Sequence, residues 1–306
     1  MPNSSRLAIL EAPSILGLRP TGVETLPEAL IEAGLLERLP GRHAGRIAPR
    51  AQYDFERDPS SLTLNAAGIA EYSSQLADSV EAILAGGELP LVLGGDCSIL
   101  LGNLLALKRL GRYGLLFLDA HADFYQPEAN PNGEAASMEL AFATGRGPAI
   151  LADLECRGPL VADEDVVVFG YRDAAEQAEY GSQPLPPALL AISLDEIRSG
   201  GIAAAIRKAL AHRQRAGGPD AGFWLHLDAD VLDDANLPAV DYRLPSGLSP
   251  DELKAVLSAA WGTGRLIGMD LTIYNPKLDP GGSGARLLVD LLAATLALPV
   301  QETQAI

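Results

Sequence analysis

The stretch Gly114-Leu115-Leu116-Phe117-Leu118-Asp119-Ala120-His121-Ala122-Asp123 joins an unbroken apolar run to a row of acids and one imidazole. A short apolar run without polar alternation is what a strand covered on both faces of a parallel sheet requires. Similar runs recur at residues 7–10, 89–93, 166–169, 223–227 and 265–269. Helix-period stretches lie between them, at roughly 24–39, 62–85, 99–110, 202–213, 250–261 and 285–297. The helix from 250 is the best marked, with Ser249 as cap, Pro250 in the first turn and Glu252 placed to close a capping box. This alternation predicts an α/β fold, a three-layer αβα arrangement around a doubly wound, mostly parallel sheet.

Segments rich in Pro and Gly at 40–59, 127–133, 181–187 and 217–222 are scattered and separate no compositionally distinct halves, so residues 1–306 read as one domain. A chain that is 48% hydrophobic can bury a sizeable core. Its formal charge of −17 argues against a nucleic-acid partner, which needs a basic face. Cys97 and Cys156 stand far apart, outside any paired or zinc-ribbon spacing. Residues 1–5 lack the regions of a signal peptide, and no apolar run approaches the ~20 residues of a membrane span. The expectation is a cytoplasmic protein without a membrane partner.

In open parallel sheets, ligands bind at the carboxyl ends of the strands. One such end here runs into Gly94-Gly95-Asp96-Cys97-Ser98, another into Asp119 to Asp123, and a third carries His226-Leu227-Asp228-Ala229-Asp230. A single Asp after a strand is an ordinary turn or cap residue; two clusters with acids two apart ask for more. In extended backbone, positions i, i+2 and i+4 face one way, so Asp119, His121 and Asp123 converge, as do Asp228 and Asp230. Carboxylates packed together cannot all ionise without cations. Two divalent ions bridged by carboxylates would resolve the repulsion. Oxygen donors with an imidazole suit Mn²⁺ best, with Co²⁺, Ni²⁺, Fe²⁺ and Zn²⁺ as alternatives.

At these residues the chain resembles the arginase/agmatinase/formimidoglutamase (ureohydrolase) superfamily. That superfamily's motifs are Gly-Gly-Asp-His-Ser, Asp-Ala-His-x-Asp and Ser-x-Asp-x-Asp, in this order and each after a strand. The second is intact here, the third has His226 for its Ser, and the first has Cys97 for its metal-ligating His. Gly170-Tyr171-Arg172-Asp173 resembles the family's Gly-x-Arg-Asp, and Asn275-Pro276 the end of its Glu-x-Asn-Pro. The resemblance covers most of the chain from Leu7 onward. It implies a binuclear centre bridged by Asp119 and Asp228, with Cys97 and Asp123 completing one site and His121 and Asp230 the other. It also implies a hydroxide held between the metals as nucleophile, with Asp123 accepting its hydrogen bond, and hydrolysis of a linear C–N bond in a small guanidino or related molecule. Members are commonly trimers or hexamers, so a homo-oligomer is expected.

Three departures shape that expectation. The Cys97 thiolate would favour softer ions, or Cys97 is simply a buried apolar residue. Ala136-Ser137 stands where the family has the His-Gly that carries a proton shuttle; His226, facing the same way as Asp228, is a candidate substitute, or else a hydrogen-bonded core histidine. Ile273 stands where the family binds guanidinium with Glu, and Tyr125 where arginases have Asn, leaving Asn132, Glu134 and Ser137 as polar pocket candidates. An apolar Ile273 counts against ordinary arginine or agmatine and points to a neutral or modified substrate, such as an N-hydroxyguanidine, a formimino compound or an amide. Two other readings stand beside this one: a non-catalytic binding relative, and a metal-dependent amine deacylase on fold analogy. His43 and His212 read as surface residues, and Gly281-Gly282-Ser283-Gly284 as a helix lead-in. No P-loop, dinucleotide fingerprint or Gly-x-Ser-x-Gly elbow occurs.

Overall fold

The computed structural model describes residues 6–215 and 222–297. The expected features at 1–5 and 217–221 therefore lie outside the described residues. Among the described residues eight strands form one sheet: β1 (Leu7–Ala12), β2 (Gly41–Arg46), β3 (Leu89–Gly94), β4 (Gly114–Leu118), β5 (Val166–Phe169), β6 (Leu190–Ile192), β7 (Phe223–Asp228) and β8 (Leu266–Thr272). Their order is β2-β1-β3-β8-β7-β4-β5-β6. Every pairing in this sheet is parallel.

The helices are α1 (Leu26–Glu32), α2 (Leu35–Arg38), α3 (Ala66–Ala85), α4 (Ile99–Leu110), α5 (Glu139–Ala143), α6 (Ala149–Ala152), α7 (Ala174–Tyr180), α8 (Leu194–Gly200), α9 (Ile202–Arg215), α10 (Pro250–Gly262) and α11 (Ser283–Leu296). The period-2 geometry of the strands sorts the core into two halves. Leu91, Leu116, Leu225 and Leu271 pack with α1, α8, α10 and α11 on one face. Val92, Leu115, Phe117 and Trp224 pack with α3, α4 and α5 on the other. The three-layer αβα expectation holds, with a sheet parallel throughout.

Four local differences have physical causes. The helix expected over 24–39 breaks at Gly34, whose φ of 91° no helix accommodates, and α2 starts after it. The helix expected from 62 starts at Ala66, because Leu62 and Asn65 both sit at φ 53°. The strands β2 and β6 were not expected: β2 reads Gly-Arg-His-Ala-Gly-Arg and is largely exposed at the sheet edge, where polar residues suit a strand with one free side; β6 has only three residues. Strand β8 runs on to Thr272 rather than stopping at 269, which brings Asp270 and Thr272 into the ladder beside His226 and Asp228.

The β8–β7 pair is inserted between β3 and β4, and the helices after β3 and β4 (α4 and α5) cover one face while those after β7 and β8 (α10 and α11) cover the other. The crevice at the carboxyl ends of β3, β8, β7 and β4 is thus the switch point where such sheets bind ligands. A Cβ on Gly95 would meet the Ser14 carbonyl oxygen at 1.8 Å, so the tight exit from β3 requires glycine there. Asp96 then fixes the turn, accepting from Ser14 Oγ at 2.8 Å and from the Ser98 amide at 2.9 Å, and delivers Cys97 to the crevice floor.

Candidate metal centre

The strand ends use their own amides to orient the acids. Asp119 Oδ1 accepts from the His121 amide at 2.6 Å, and Asp228 Oδ1 from the Asp230 amide at 2.8 Å. Asp230 Oδ1 accepts from the Ala120 amide at 3.0 Å, which ties the loop after β7 to the loop after β4. His121 Nδ1 lies 2.9 Å from Asp230 Oδ2 and 3.6 Å from Asp119 Oδ1. Cys97 Sγ donates to Asp228 Oδ2 at 2.9 Å and lies 3.0 Å from Thr272 Oγ1. Cys97, Asp119, His121, Asp123, Asp228 and Asp230 all surround this one floor.

The motif Gly170-Tyr171-Arg172-Asp173 acts on the same loops from outside. Arg172 donates to the carbonyls of Asp230 (2.9 Å), Leu232 (3.2 Å), Leu244 (2.8 Å) and Pro245 (3.0 Å). The Asp173 carboxylate accepts from the Ala122 amide at 3.2 Å.

Two residues that the sequence reading passed over join the floor from below. Glu139, at the start of α5, is fully buried, and among the described residues no hydroxyl or cation pairs with its carboxylate, whose polar contact is the Asp123 carboxyl. Its neighbours are other carboxylates, Asp119 and Asp123. Asp270 accepts from Asn103 Nδ2 at 2.9 Å, from Trp224 Nε1 at 2.5 Å and from His226 Nδ1 at 2.5 Å. Since a carboxylate only accepts, the His226 proton resides on Nδ1, and Nε2 is left as a buried acceptor without a partner. Phe117 stacks on the imidazole with centroids 4.7 Å apart. The signal for both acids was a lone carboxylate inside an apolar run, Met138-Glu139-Leu140-Ala141-Phe142 and Gly268-Met269-Asp270-Leu271.

So much buried acid is electrostatically unstable by itself. Burial pushes the Asp119 carboxyl well above the usual range, and the charges of Asp123 and Asp230 add to it. Asp123 is raised by burial and by Glu139, Glu139 by burial and by Asp119, and Asp228 by burial and by Asp230 and Asp119. Burial raises the Cys97 thiol, as does Asp228. His121 goes the other way from an ordinary buried imidazole: burial draws its pKa down, but Asp230 and Asp119 outweigh it and hold the ring protonated. Asp230 is lowered in return, the His121 charge overcoming burial.

Cations would relieve this, and the donor atoms are placed for them. The ligand atoms of Asp119, His121 and Asp230 lie within 4.8 Å of one another, and so do those of Cys97, Asp119, Glu139 and His226. Asp119 is common to both groups, and its Oδ2 has no hydrogen-bond partner. Orphaned, buried oxygen and nitrogen atoms converging in this way fit divalent metal.

Above the floor opens a cavity of about 330 Å³ lined by His121, Asp123, Asp228 and Asp230, and on its walls by Tyr125, Asn132, Ser137 and Ile273. Cys97, Asp119 and His226 do not line it; they lie beneath. Glu134, expected in the pocket, is instead buried behind the wall, where it accepts from the Tyr242 hydroxyl at 2.5 Å and the Arg19 amide at 3.1 Å. The fully buried His226 does not reach the cavity, so its position does not suit it to carrying protons to solvent. Asp241 and Glu176 add acids to the walls, and no Lys or Arg is among the lining residues described. Ile273 holds φ 70° and Asp123 φ 45°, left-handed conformations that a β-branched side chain in particular resists and that cluster at functional sites.

The Arginase family model matches residues 5–297. An arginase of Staphylococcus aureus (strain COL) is 29% identical over 299 residues, covering 95% of this chain and 97% of its own. An arginase of Coccidioides immitis (strain RS) is 31% identical over 278 residues, 84% of this chain and 83% of that one. Among solved structures, arginase from Bacillus caldovelox superposes with a TM-score of 0.85 at 25% identity, covering 99% of this chain and 100% of that one.

Proposed function

Since the chain belongs to the arginase family, we propose that it is a metal-dependent hydrolase of linear C–N bonds, acting on a small guanidino or related molecule at the crevice floor. The observation that carries this reading is the shared position of Asp119, whose carboxylate stands in both groups of converging donor atoms. Asp119 and Asp228 would hold two ions jointly, His121 and Asp230 would complete one position, and Cys97 and Asp123 contribute to the other. Mn²⁺ suits the oxygen-rich position. When bound, the ion pair would acidify a water and polarise the carbon under attack.

The chain's own residues do the rest. Asp123 reaches the cavity floor, where its carboxylate is placed to accept a proton from the attacking water. Asp230 orients the His121 ring by the 2.9 Å contact. Asp241 and Glu176 would draw in a positively charged substrate, and Ile273 and Tyr125 would press on its apolar part. The acid walls favour a cationic guanidino or formimino compound over a neutral amide. Ile273, with no charge to offer a guanidinium, counts against ordinary arginine or agmatine.

The test is elemental analysis of protein purified without chelators, followed by a hydrolysis screen over guanidino, hydroxyguanidino and formimino compounds. The expected outcome is about two ions per chain and turnover of at least one such class, abolished in Asp119→Ala and Asp228→Ala. Full activity without metal would contradict the reading.

A further inference from the structure

His226 and Glu139 are anomalous as core residues. A buried polar atom without a partner costs on the order of 1–3 kcal/mol, and more when charged, so core histidines and glutamates normally find partners. His226 Nε2 has none, and the Glu139 carboxylate faces another carboxyl, Asp123, although each residue is fully buried. The two residues are not scattered: one imidazole nitrogen of His226 and one Glu139 oxygen, together with Cys97 Sγ and an Asp119 oxygen, fall within 4.8 Å of one another.

The opposite face of the imidazole explains the arrangement. Asp270 takes the Nδ1 proton at 2.5 Å and is itself held by Asn103 and Trp224, while Phe117 stacks on the ring. A carboxylate that fixes the tautomer and aims the free nitrogen is the support that metal-ligating histidines use.

We propose that one of the two ions is held by a relocated set of donors, Cys97, Asp119, Glu139 and His226, in which His226 from β7 supplies the imidazole and Glu139 from α5 supplies an additional carboxylate. This rests on the metal-centre reading above and changes its composition: Asp123 is left free on the cavity side to act on water. A thiolate and an imidazole beside two carboxylates form a borderline donor set, which takes Zn²⁺ or Co²⁺ in preference to Mn²⁺. The proton that Cys97 Sγ directs at Asp228 leaves to solvent when the sulfur binds the ion.

The test is anaerobic titration of the metal-stripped full chain with Co²⁺, read by absorption and by equilibrium stoichiometry rather than by turnover. Wild type is expected to bind two equivalents, one of them with a thiolate-to-cobalt charge-transfer band in the near ultraviolet. Cys97→Ser removes that band. Glu139→Gln and His226→Gln each weaken this ion by more than about 100-fold, since even the outer supports of a metal ligand contribute about 10–100-fold. Binding of the other ion persists in these variants and is lost in His121→Ala. Glu139→Gln also replaces a buried acid, whose ionisation its surroundings oppose, by a neutral amide of the same shape, so its metal-free form melts no lower than wild type and decides the matter even if His226→Gln does not fold. Two ions bound with unchanged affinity in Glu139→Gln, or a wild-type spectrum without a thiolate band, would overturn the proposal while leaving the binuclear reading intact. A wild-type chain that binds no ion would overturn both.

Discussion

Asp270 in β8 accepts the Nδ1 proton of His226 in β7 at 2.5 Å, across a register that places the two residues side by side in adjacent parallel strands. The pair sets which imidazole nitrogen is free and where it points. Asp270→Asn keeps the shape but can present an amide N–H to Nδ1, which reverses the preferred tautomer and places the proton on the nitrogen that faces the donor cluster. We expect Co²⁺ binding at this position to weaken about 10–100-fold in the variant. Unchanged affinity in the same titration would contradict the assignment of Nε2 as the working atom.

The metal-free protein is expected to lose stability as pH rises above the ordinary carboxylate range. Asp119, Asp123, Glu139 and Asp228 all have raised folded-state values, burial being the first cause in each. Between the unfolded value near 4 and the higher folded value, the native state binds more protons than the unfolded one, so the unfolding free energy falls with pH. Asp230, with its lowered value, contributes stability that is already complete above pH ~4 and so adds no slope across this range. Urea melts of chelator-treated protein across pH ~4–8 check the sign, and saturating metal should flatten the slope. Stability of the metal-free form that rises over this range would contradict the electrostatic account.

Arg172→Lys should loosen both acid-bearing loops. The guanidinium serves carbonyls on two segments, Asp230 to Leu232 and Leu244 to Pro245, and a lysine cannot reproduce that fork. A loss of roughly 2 kcal/mol in unfolding free energy is expected, with weaker metal binding at the His121 position. A melting curve identical to wild type would show that the fork is dispensable.

Asp241→Asn tests the wall. If the substrate is cationic, removing this half-buried charge should raise KM by roughly tenfold with kcat little changed, the signature of lost uniform binding. Asp241 already accepts from Thr21 Oγ1 at 2.7 Å, so its orientation survives the amide only in part. A fall in kcat with KM unchanged would instead place Asp241 in the chemistry.

The parts of this site that the sequence made legible are those set by local geometry. Asp119, His121 and Asp123, like Asp228 and Asp230, announce themselves as acids two apart after a strand, although the extended backbone expected to align them does not persist: β4 ends at Leu118, Asp123 sits at φ 45° and Asp230 lies in a 3-10 turn over Ala229–Val231. The apolar runs of β3, β4, β5 and β7 were legible too, since strands covered on both faces have nothing polar to hide. Glu139 was not, because its meaning depends on α5 docking beneath a strand end 20 residues earlier in the chain, at Asp119. Asp270 escaped because β8 was expected to stop one residue short of it. Glu134 looked like a pocket residue in a polar loop, yet Tyr242, more than 100 residues later, folds over it and donates its hydroxyl to the carboxylate. The edge strand β2 carries too many charges to read as a strand at all.

The most direct measurement of the central claim is the metal content of Asp119→Asn beside wild type, both purified without chelators and assayed on the same guanidino and formimino panel. Asp119 stands in both groups of donor atoms, so its amide should cost both ions and all hydrolysis in a chain that remains folded. An Asp119→Asn protein that retains about two ions and wild-type turnover would contradict a shared bridging carboxylate, and with it the account of the site.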